Sequence, residues 1–319
     1  MTECSVLIVS TAVDSATDAV VESLAKLGVS HRRINTEDLP FFRGITLDYQ
    51  NGITASIRFD EQSIAPTSVW YRRLRSPARP ESMDPGIYDF CLRENRAALV
   101  GGLLSQNARW MSHPSRIWQA EFKPYQLQVA REVGLRIPKT IVSNVPAVIR
   151  RAHCDFGPLI VKPTRSGHFR EGAEEFSIYT SLLSEDHLAF LDDAKWSPSI
   201  YQEQIVKRCD VRVTCVGERL FAAAIHSQTD PSATVDWRKT DNPELPHSRL
   251  SLPPTLDKQL LCLMKRLDLR FGCIDLVLTP DDEYVFLEVN PSGQWLWLDD
   301  QLELGISMAV AQWLAGETT

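Results

Sequence analysis

Phe271-Gly-Cys-Ile-Asp-Leu-Val-Leu278, then Thr279-Pro-Asp-Asp-Glu283, then Tyr284-Val-Phe-Leu-Glu-Val-Asn290-Pro-Ser-Gly-Gln-Trp-Leu-Trp297 is the stretch on which the fold turns. Cys273 to Leu278 and Tyr284 to Val289 are apolar runs with turn chemistry between them, which predicts a two-stranded hairpin. Glu288 and Asn290 stand two apart, so strand alternation puts their side chains on one face. Asp275 falls inside the other apolar run, where an unpartnered carboxylate is costly to bury. Three hard oxygen donors, Asp275, Glu288 and Asn290, are therefore expected to converge. Magnesium takes carboxylates and carbonyls, keeps waters and fills its remaining positions with substrate phosphates. A Glu-x-Asn at a turn is by itself more often the ordinary end of a strand with solvated acids, and Asp275 is what points to a nucleotide site.

The composition sets the frame. The chain has 319 residues, 44% apolar and 24% charged, enough for a large core and roughly two or three domains. A net charge of -7 and a pI near 5.6 argue against a general nucleic-acid binder. Tyr71-Arg-Arg-Leu-Arg75, with Arg79 beyond, is locally basic and reads as a solvated or peptide-facing patch. The seven cysteines form no CxxC pair, which fits reduced thiols and a cytoplasmic protein. The run Val6 to Val9 is too short for a secretion signal and is preceded by Glu3, and no stretch reaches the length of a membrane span. The seven histidines make no HxH or HxxxH pair, so zinc has little support.

Along the chain, Ser5 to Ser10 reads as a buried strand, Ser15 to Leu27 as a helix stopped at Gly28, and Ser30 to Ile34 as the next strand, an open α/β start. The first turn, Ser10-Thr-Ala-Val-Asp-Ser15, lacks the glycines of a dinucleotide fold. Ile45 to Phe59 alternates about Asn51-Gly like a hairpin. A Pro-rich loop over Ser76 to Gly86 leads to a helix over Tyr88 to Leu104. Met111-Ser-His-Pro-Ser115 marks the first boundary. Beyond it come a helix over Glu121 to Val133 closed by Gly134, a strand from Ile137, a strand ending at Lys162, and a strand over Glu174 to Thr180. Strands over Tyr201 to Val206, Asp210 to Val216 and Leu220 to Ile225 follow, then helices over Leu256 to Leu267 and Leu302 to Leu314. The expected division is 1–112, 113–199 and 200–319.

Lys162 ends the apolar run Leu159-Ile-Val and precedes Pro163-Thr-Arg-Ser-Gly167. An ammonium there can follow phosphate oxygens while Ser166 and Gly167 admit close backbone approach; a plain surface strand end has the same pattern. Lys123, near its helix start, would alone be a solvated lysine. Gln202, Glu203, Gln204 and Ile205 could form a hinge that reads an adenine edge, with Asp210 accepting from ribose hydroxyls and Arg212 on the same strand face, or simply a salt-bridged strand. Arg238, in the polar segment Asp236-Trp-Arg, could clamp a phosphate bidentately.

Taken in order, these residues resemble the ATP-grasp superfamily of carboxylate ligases over roughly 113–300. Val69-Trp-Tyr-Arg-Arg73, Phe176-Ser-Ile-Tyr-Thr180, Asp236-Trp-Arg238 and Glu288-Val-Asn-Pro-Ser-Gly-Gln-Trp-Leu-Trp297 are similar to the microviridin-type, or graspetide, peptide-cyclising ligases. The resemblance implies α/β and α+β architecture, an ATP-grasp fold behind an N-terminal α/β pre-ATP-grasp domain. It implies ATP and Mg2+ as cofactors, with Lys123 and Lys162 on phosphates, Gln202 to Ile205 on adenine, Asp210 on ribose, and Asp275, Glu288 and Asn290 on the metal. Lys162, Arg212 and Arg238 would stabilise the transferring phosphoryl group and the acyl phosphate. The implied partner is a ribosomal precursor peptide, leader plus acidic core, whose Asp or Glu side chains are joined to Ser, Thr or Lys; nucleic acid and membrane are not expected, and a homodimer is compatible. A ligase adding amino acids to a protein terminus or small molecule, or a non-catalytic ATP-binding partner, would keep the same nucleotide residues. The loop after Lys162 departs from the family in being poor in glycine.

Overall fold

A computed structural model of the chain describes residues 5–49, 56–165, 167–171, 174–240, 242 and 244–317. The first part runs β1 (Val6–Ser10), α1 (Ser15–Lys26), β2 (His31–Asn35), β3 (Ile45–Asp48), β4 (Ser56–Phe59), β5 (Gln62–Ile64), β6 (Ser68–Tyr71), α2 (Pro85–Leu104) and β7 (Arg109–Trp110). Its main sheet is parallel, in the order β2-β1-β6-β7, and β3, β4 and β5 form an antiparallel meander. β1 is buried along its whole length, as a central parallel strand covered on both faces must be. Asp14 caps α1 by accepting from the Thr17 N–H, and Gly28 ends that helix region at φ +68°, a conformation that suits glycine. The pairing of Ile45 with Phe59 and Asp48 with Ser56 is the hairpin expected there; its Asn51-Gly turn lies outside the described residues.

The second part contains α3 (Pro114–Ala120), α4 (Lys123–Glu132), β8 (Thr140–Ser143), α5 (Pro146–Phe156), β9 (Leu159–Lys162), β10 (His168–Glu171), β11 (Glu174–Ser177), β12 (Ser181–Leu182), α6 (Glu185–Ala189) and β13 (Ser199–Glu203). One sheet has the order β12-β9-β13-β8, and β10 and β11 form a separate hairpin. The third part is β14 (Cys209–Val216), β15 (Arg219–Ile225), β16 (His247–Arg249), α7 (Pro254–Arg266), β17 (Phe271–Leu278), β18 (Tyr284–Asn290), α8 (Leu296–Leu302) and α9 (Ile306–Ala315). Its antiparallel sheet runs β16-β15-β14-β17-β18, with β18 at one edge.

Two helices differ from expectation. The segment expected as one helix over Glu121 to Val133 begins at Lys123, because Pro124 fits only a first helical turn, and α3 precedes it as a separate element. The helix expected over Leu302 to Leu314 is split: Glu303 at φ 48° and Gly305 at φ 77° are left-handed, so α8 stops at Leu302 and α9 starts at Ile306. The amphipathic α5 was not anticipated.

The cores do not follow chain order. Leu127, Val129 and Ala130 of α4 pack with Leu260 and Leu263 of α7 and with Ile274 and Phe286 of the five-stranded sheet. Each fully buried side chain of that kind contributes about 1.5–3 kcal/mol. A second core joins the first sheet to the last: Val6, Ile8 and Trp70 meet Phe271, Trp295 and Val310. Ile149, Leu159 and Tyr201 form a separate small core under the β8/β9/β13 sheet.

Candidate active site

Between the β9 sheet and the five-stranded sheet lies a cavity of about 670 Å³, a size suited to a nucleotide-class ligand. Lys123, Lys162, Asp210, Arg238, Asp275, Glu288 and Asn290 all reach its wall, as do Ile160, Leu276 and Leu287. Seven of the residues singled out by sequence thus come together from five elements and one loop.

The hairpin sets the acidic end. Asp275 and Glu288 are direct cross-strand partners, and the register slips between Asp275 and Leu276. Leu276 pairs with Phe286, so Leu287 is the extra residue of a β-bulge. A bulge re-aims side chains, and here it lets Leu287 and Glu288 both line the cavity where strict alternation would send one away. The bulge was not legible in the sequence.

Each acid faces a cation. Arg212 donates from one nitrogen to both Asp275 oxygens at 2.6 and 2.7 Å, and from the other to the Gln294 carbonyl at 3.0 Å. Lys123 Nζ stands 3.1 Å from Glu288 Oε2 and 3.5 Å from the Pro163 carbonyl. Burial pushes the Glu288 carboxyl up, but Lys123, Lys162 and Arg238 together pull it down to about 2. Burial pushes Asp275 up; Arg212 opposes this, and the charge of Glu288 adds to it. Burial disfavours the Arg212 cation, yet the Asp275 carboxylate more than restores it, so its pKa rises. Lys162 is buried, and desolvation lowers its pKa to about 8 against the pull of Glu288.

Among the described residues no group of three or more His, Cys, Asp or Glu could hold a metal ion. The donor set of two carboxylates and the Asn290 amide suits a cation that completes its shell with phosphate oxygens and water, which is how magnesium is held. The amide carbonyl of Asn290 accepts from the Ser292 N–H at 3.2 Å, which orients it.

The other expected residues are placed as follows. Arg212 lies behind Asp275 and is not on the cavity wall. Arg238 is on the wall, its side chain 49% exposed, and is gripped by Asp236 through Nε at 2.9 Å and Nη2 at 2.7 Å. Asp236 also accepts from the Thr180 N–H, and the guanidinium lies 5.9 Å from the Tyr179 ring, so the Phe176–Thr180 and Asp236–Arg238 motifs form one unit. Asp210 accepts from Lys207 Nζ at 2.8 and 2.7 Å and from Ser227. Residues 202–205 are not among those lining the cavity; Gln202 pairs in register with Ile160, which is. The N–H groups of Glu203 and Gln204 are spent on the carbonyls of Lys139 and Pro158. Ser166 lies outside the described residues. The adjoining Arg165 pairs with Glu121 across the cavity mouth.

Arg72 corrects an expectation. Instead of lying in an exposed basic patch, its side chain is fully buried. Its guanidinium sits 4.6 Å from the Trp295 ring, 5.6 Å from Trp70 and 5.9 Å from Phe271. It is 3.4 Å from Asp14 and donates to the Ser292 and Gly293 carbonyls at 2.9 and 3.1 Å and to Gln294 Oε1 at 3.0 Å. The first sheet thereby grips the loop that follows the acidic hairpin.

Sheets enclosing a nucleotide-sized cavity, lysines on one side and a carboxylate hairpin on the other, define an ATP-grasp architecture. The family described as the MvdD pre-ATP grasp domain matches residues 5–118. A RiPP-associated ATP-grasp ligase of Chryseobacterium gregarium, solved with ADP and a leader and core peptide, superposes with a TM-score of 0.91 at 29% identity, covering 99% of this chain and 98% of that one. The macrocyclase MdnC of Microcystis aeruginosa MRC, bound with precursor peptide MdnA, gives 0.86 at 32% identity over 98% of this chain and 100% of MdnC. MdnB of the same organism gives 0.81 at 32% over 98% and 99%. No curated protein sequence matches. The chain belongs to the ATP-grasp ligases of ribosomal-peptide maturation, the family of these macrocyclases, as the sequence motifs implied.

Proposed function

We propose that this protein is an ADP-forming carboxylate ligase that activates Asp or Glu side chains of a ribosomal precursor peptide as acyl phosphates and joins them to Ser, Thr or Lys side chains. The observation that carries this is the pairing of Asp275 with Glu288 across one hairpin, faced by Lys123, Lys162 and Arg238 in a single cavity. Such chemistry rests on positioning and charge neutralisation more than on covalent help from the protein. Lys123 and Lys162 would hold phosphate oxygens, and Ile160, Leu276 and Leu287 would enclose the base; of the 202–205 segment, whose Glu203 and Gln204 N–H groups are committed elsewhere, Ile205 would bring its backbone N–H to the base edge. Asp210 would take the ribose. Magnesium, held by Asp275, Glu288 and Asn290, would neutralise charge on the transferring phosphoryl group. Arg238, half-exposed on the wall, would meet the acyl phosphate, and Arg212 would hold Asp275 in place. No helix among the described residues is long and apolar enough to cross a membrane, and we place the reaction in the cytoplasm.

The test is incubation with Mg-ATP and a candidate acidic precursor peptide, with nucleotides and peptide mass followed together. The expected products are ADP and a peptide lighter by one water per crosslink. AMP with pyrophosphate would overturn the reading. A peptide heavier by whole amino-acid residues would make the protein an amino-acid-adding ligase, and ATP binding without ADP would make it a non-catalytic partner.

A further inference from the structure

β18 is the edge of its sheet, and Val289 lies between the two candidate metal ligands Glu288 and Asn290. An edge strand presents backbone groups that the ladder does not use, and buried ones must find partners elsewhere. At Val289 the partner is a side chain. Gln126 of α4 accepts from the Val289 N–H at 2.8 Å and donates to the Val289 carbonyl at 2.7 Å, the pattern by which a neighbouring strand would pair. Its second amide hydrogen goes to the Ala120 carbonyl at the end of α3. Gln126 is 2% exposed, and with both amide hydrogens and its oxygen committed to backbone it has little left with which to read a ligand.

Gln126 stands three residues beyond Lys123, on the same helix face, and Lys123 is the residue paired with Glu288. One face of α4 therefore makes two contacts with consecutive residues of β18: a charge on Glu288 and a peptide-like amide on Val289. The amide contact fixes height and rotation, which a single lysine on a flexible stem does not.

We infer that Gln126 is a positioning residue, whose amide locks the Val289 backbone and so sets Glu288 and Asn290 against Lys123 and the phosphate end of the cavity. This rests on the proposed Mg-ATP reading of that end. Residues that orient metal ligands typically change metal affinity or activity by about 10–100-fold when removed, and Gln126 is expected in that range.

The experiment measures peptide-dependent ADP formation by the full chain as Mg2+ is varied. Gln126→Met keeps the side-chain length and loses the amide; Gln126→Asn keeps the amide but is one methylene short of Val289. Both are expected to need about tenfold more Mg2+ for half-maximal rate and to lose about tenfold in kcat, with the KM for peptide unchanged. A merely structural contact would lower the melting temperature without moving the Mg2+ requirement. Should the methionine variant not fold, the asparagine variant carries the test. A folded variant with normal Mg2+ dependence and normal kcat overturns the inference while Glu288→Gln stays inactive. Normal ADP formation by Glu288→Gln would instead overturn the nucleotide-site reading beneath it.

Discussion

Lys162 couples the chemistry to pH. Desolvation holds its pKa near 8, below the ordinary lysine value, so between about 8 and that value the unfolded chain binds a proton that the folded chain does not. Stability therefore rises with pH through that window, while below it the lysine is charged in both states. Phosphate binding needs the ammonium, so the KM for ATP is expected to rise about tenfold between about pH 7 and about pH 9, where about nine in ten Lys162 side chains would be neutral. Initial rates at several ATP concentrations check this, and a flat profile would remove Lys162 from the phosphates. Glu288 gives the same sign of pH dependence in an acidic window, there as a stabilising group. Its pKa of about 2 means that its stabilising contribution is complete above the ordinary carboxylate range and disappears as pH falls through that value. Glu288→Gln is expected to lower ADP formation by about a thousandfold, or about 4 kcal/mol at the barrier. A lower melting temperature should accompany this, since Lys123, Lys162 and Arg238 lose their shared counter-charge; activity and thermal scans on one preparation separate the two effects. Asp275 was legible because a charge inside an apolar strand has few innocent explanations, whereas Glu288, Lys162 and Lys123 each had an ordinary solvated reading and stood out only through their order along the chain. Arg72 was not legible, since a run of arginines gives no hint that one of them is enclosed between the nearby Trp70 and Trp295, far along the chain.

The hairpin's two strands could be read from apolar runs and turn residues, and the bulge at Leu287 could not, because a single extra residue leaves the local pattern almost intact. Boundaries shifted where backbone geometry overrode side-chain pattern, as at Pro124 and Gly305. Gly293, in the loop after the hairpin, shows how tightly β17 and that loop fit: an added Cβ would stand 2.5 Å from Cys273 Cβ and 2.6 Å from its Sγ. Gly293→Ala must push the loop outward, away from Arg72 and from Arg212, which holds the neighbouring Gln294 carbonyl. Overpacking of this kind costs about 1–3 kcal/mol. The variant is expected to melt earlier and to lose turnover with little change in ATP affinity, which thermal scans and kcat against KM would show. Equal loss in ATP affinity would mean that the strain spreads into the phosphate end.

At the scale of the molecule, the first and last sheets share one core and one buried cation, so they are expected to unfold together. Calorimetry should show the first sheet melting with the five-stranded sheet in a single transition. Arg72→Met, which keeps the aromatic packing but leaves Asp14 buried without its partner, should lower that transition and cost about 3–5 kcal/mol; two separate transitions in the unaltered protein would contradict the shared core. The guanidinium of Arg72 meets Ser292 across 220 positions of sequence. Synthesis on the ribosome is vectorial, so the parallel sheet leaves the exit tunnel long before Trp295 exists to cover Trp70 and Arg72. Until the stretch through Trp295 is made, the nascent chain carries an open apolar face with a charge at its centre, a state prone to aggregation. Maturation of this ligase is thus tied to translation past Trp295: a product truncated ahead of that residue should accumulate with chaperones or in inclusion bodies, however completely its first sheet has been translated.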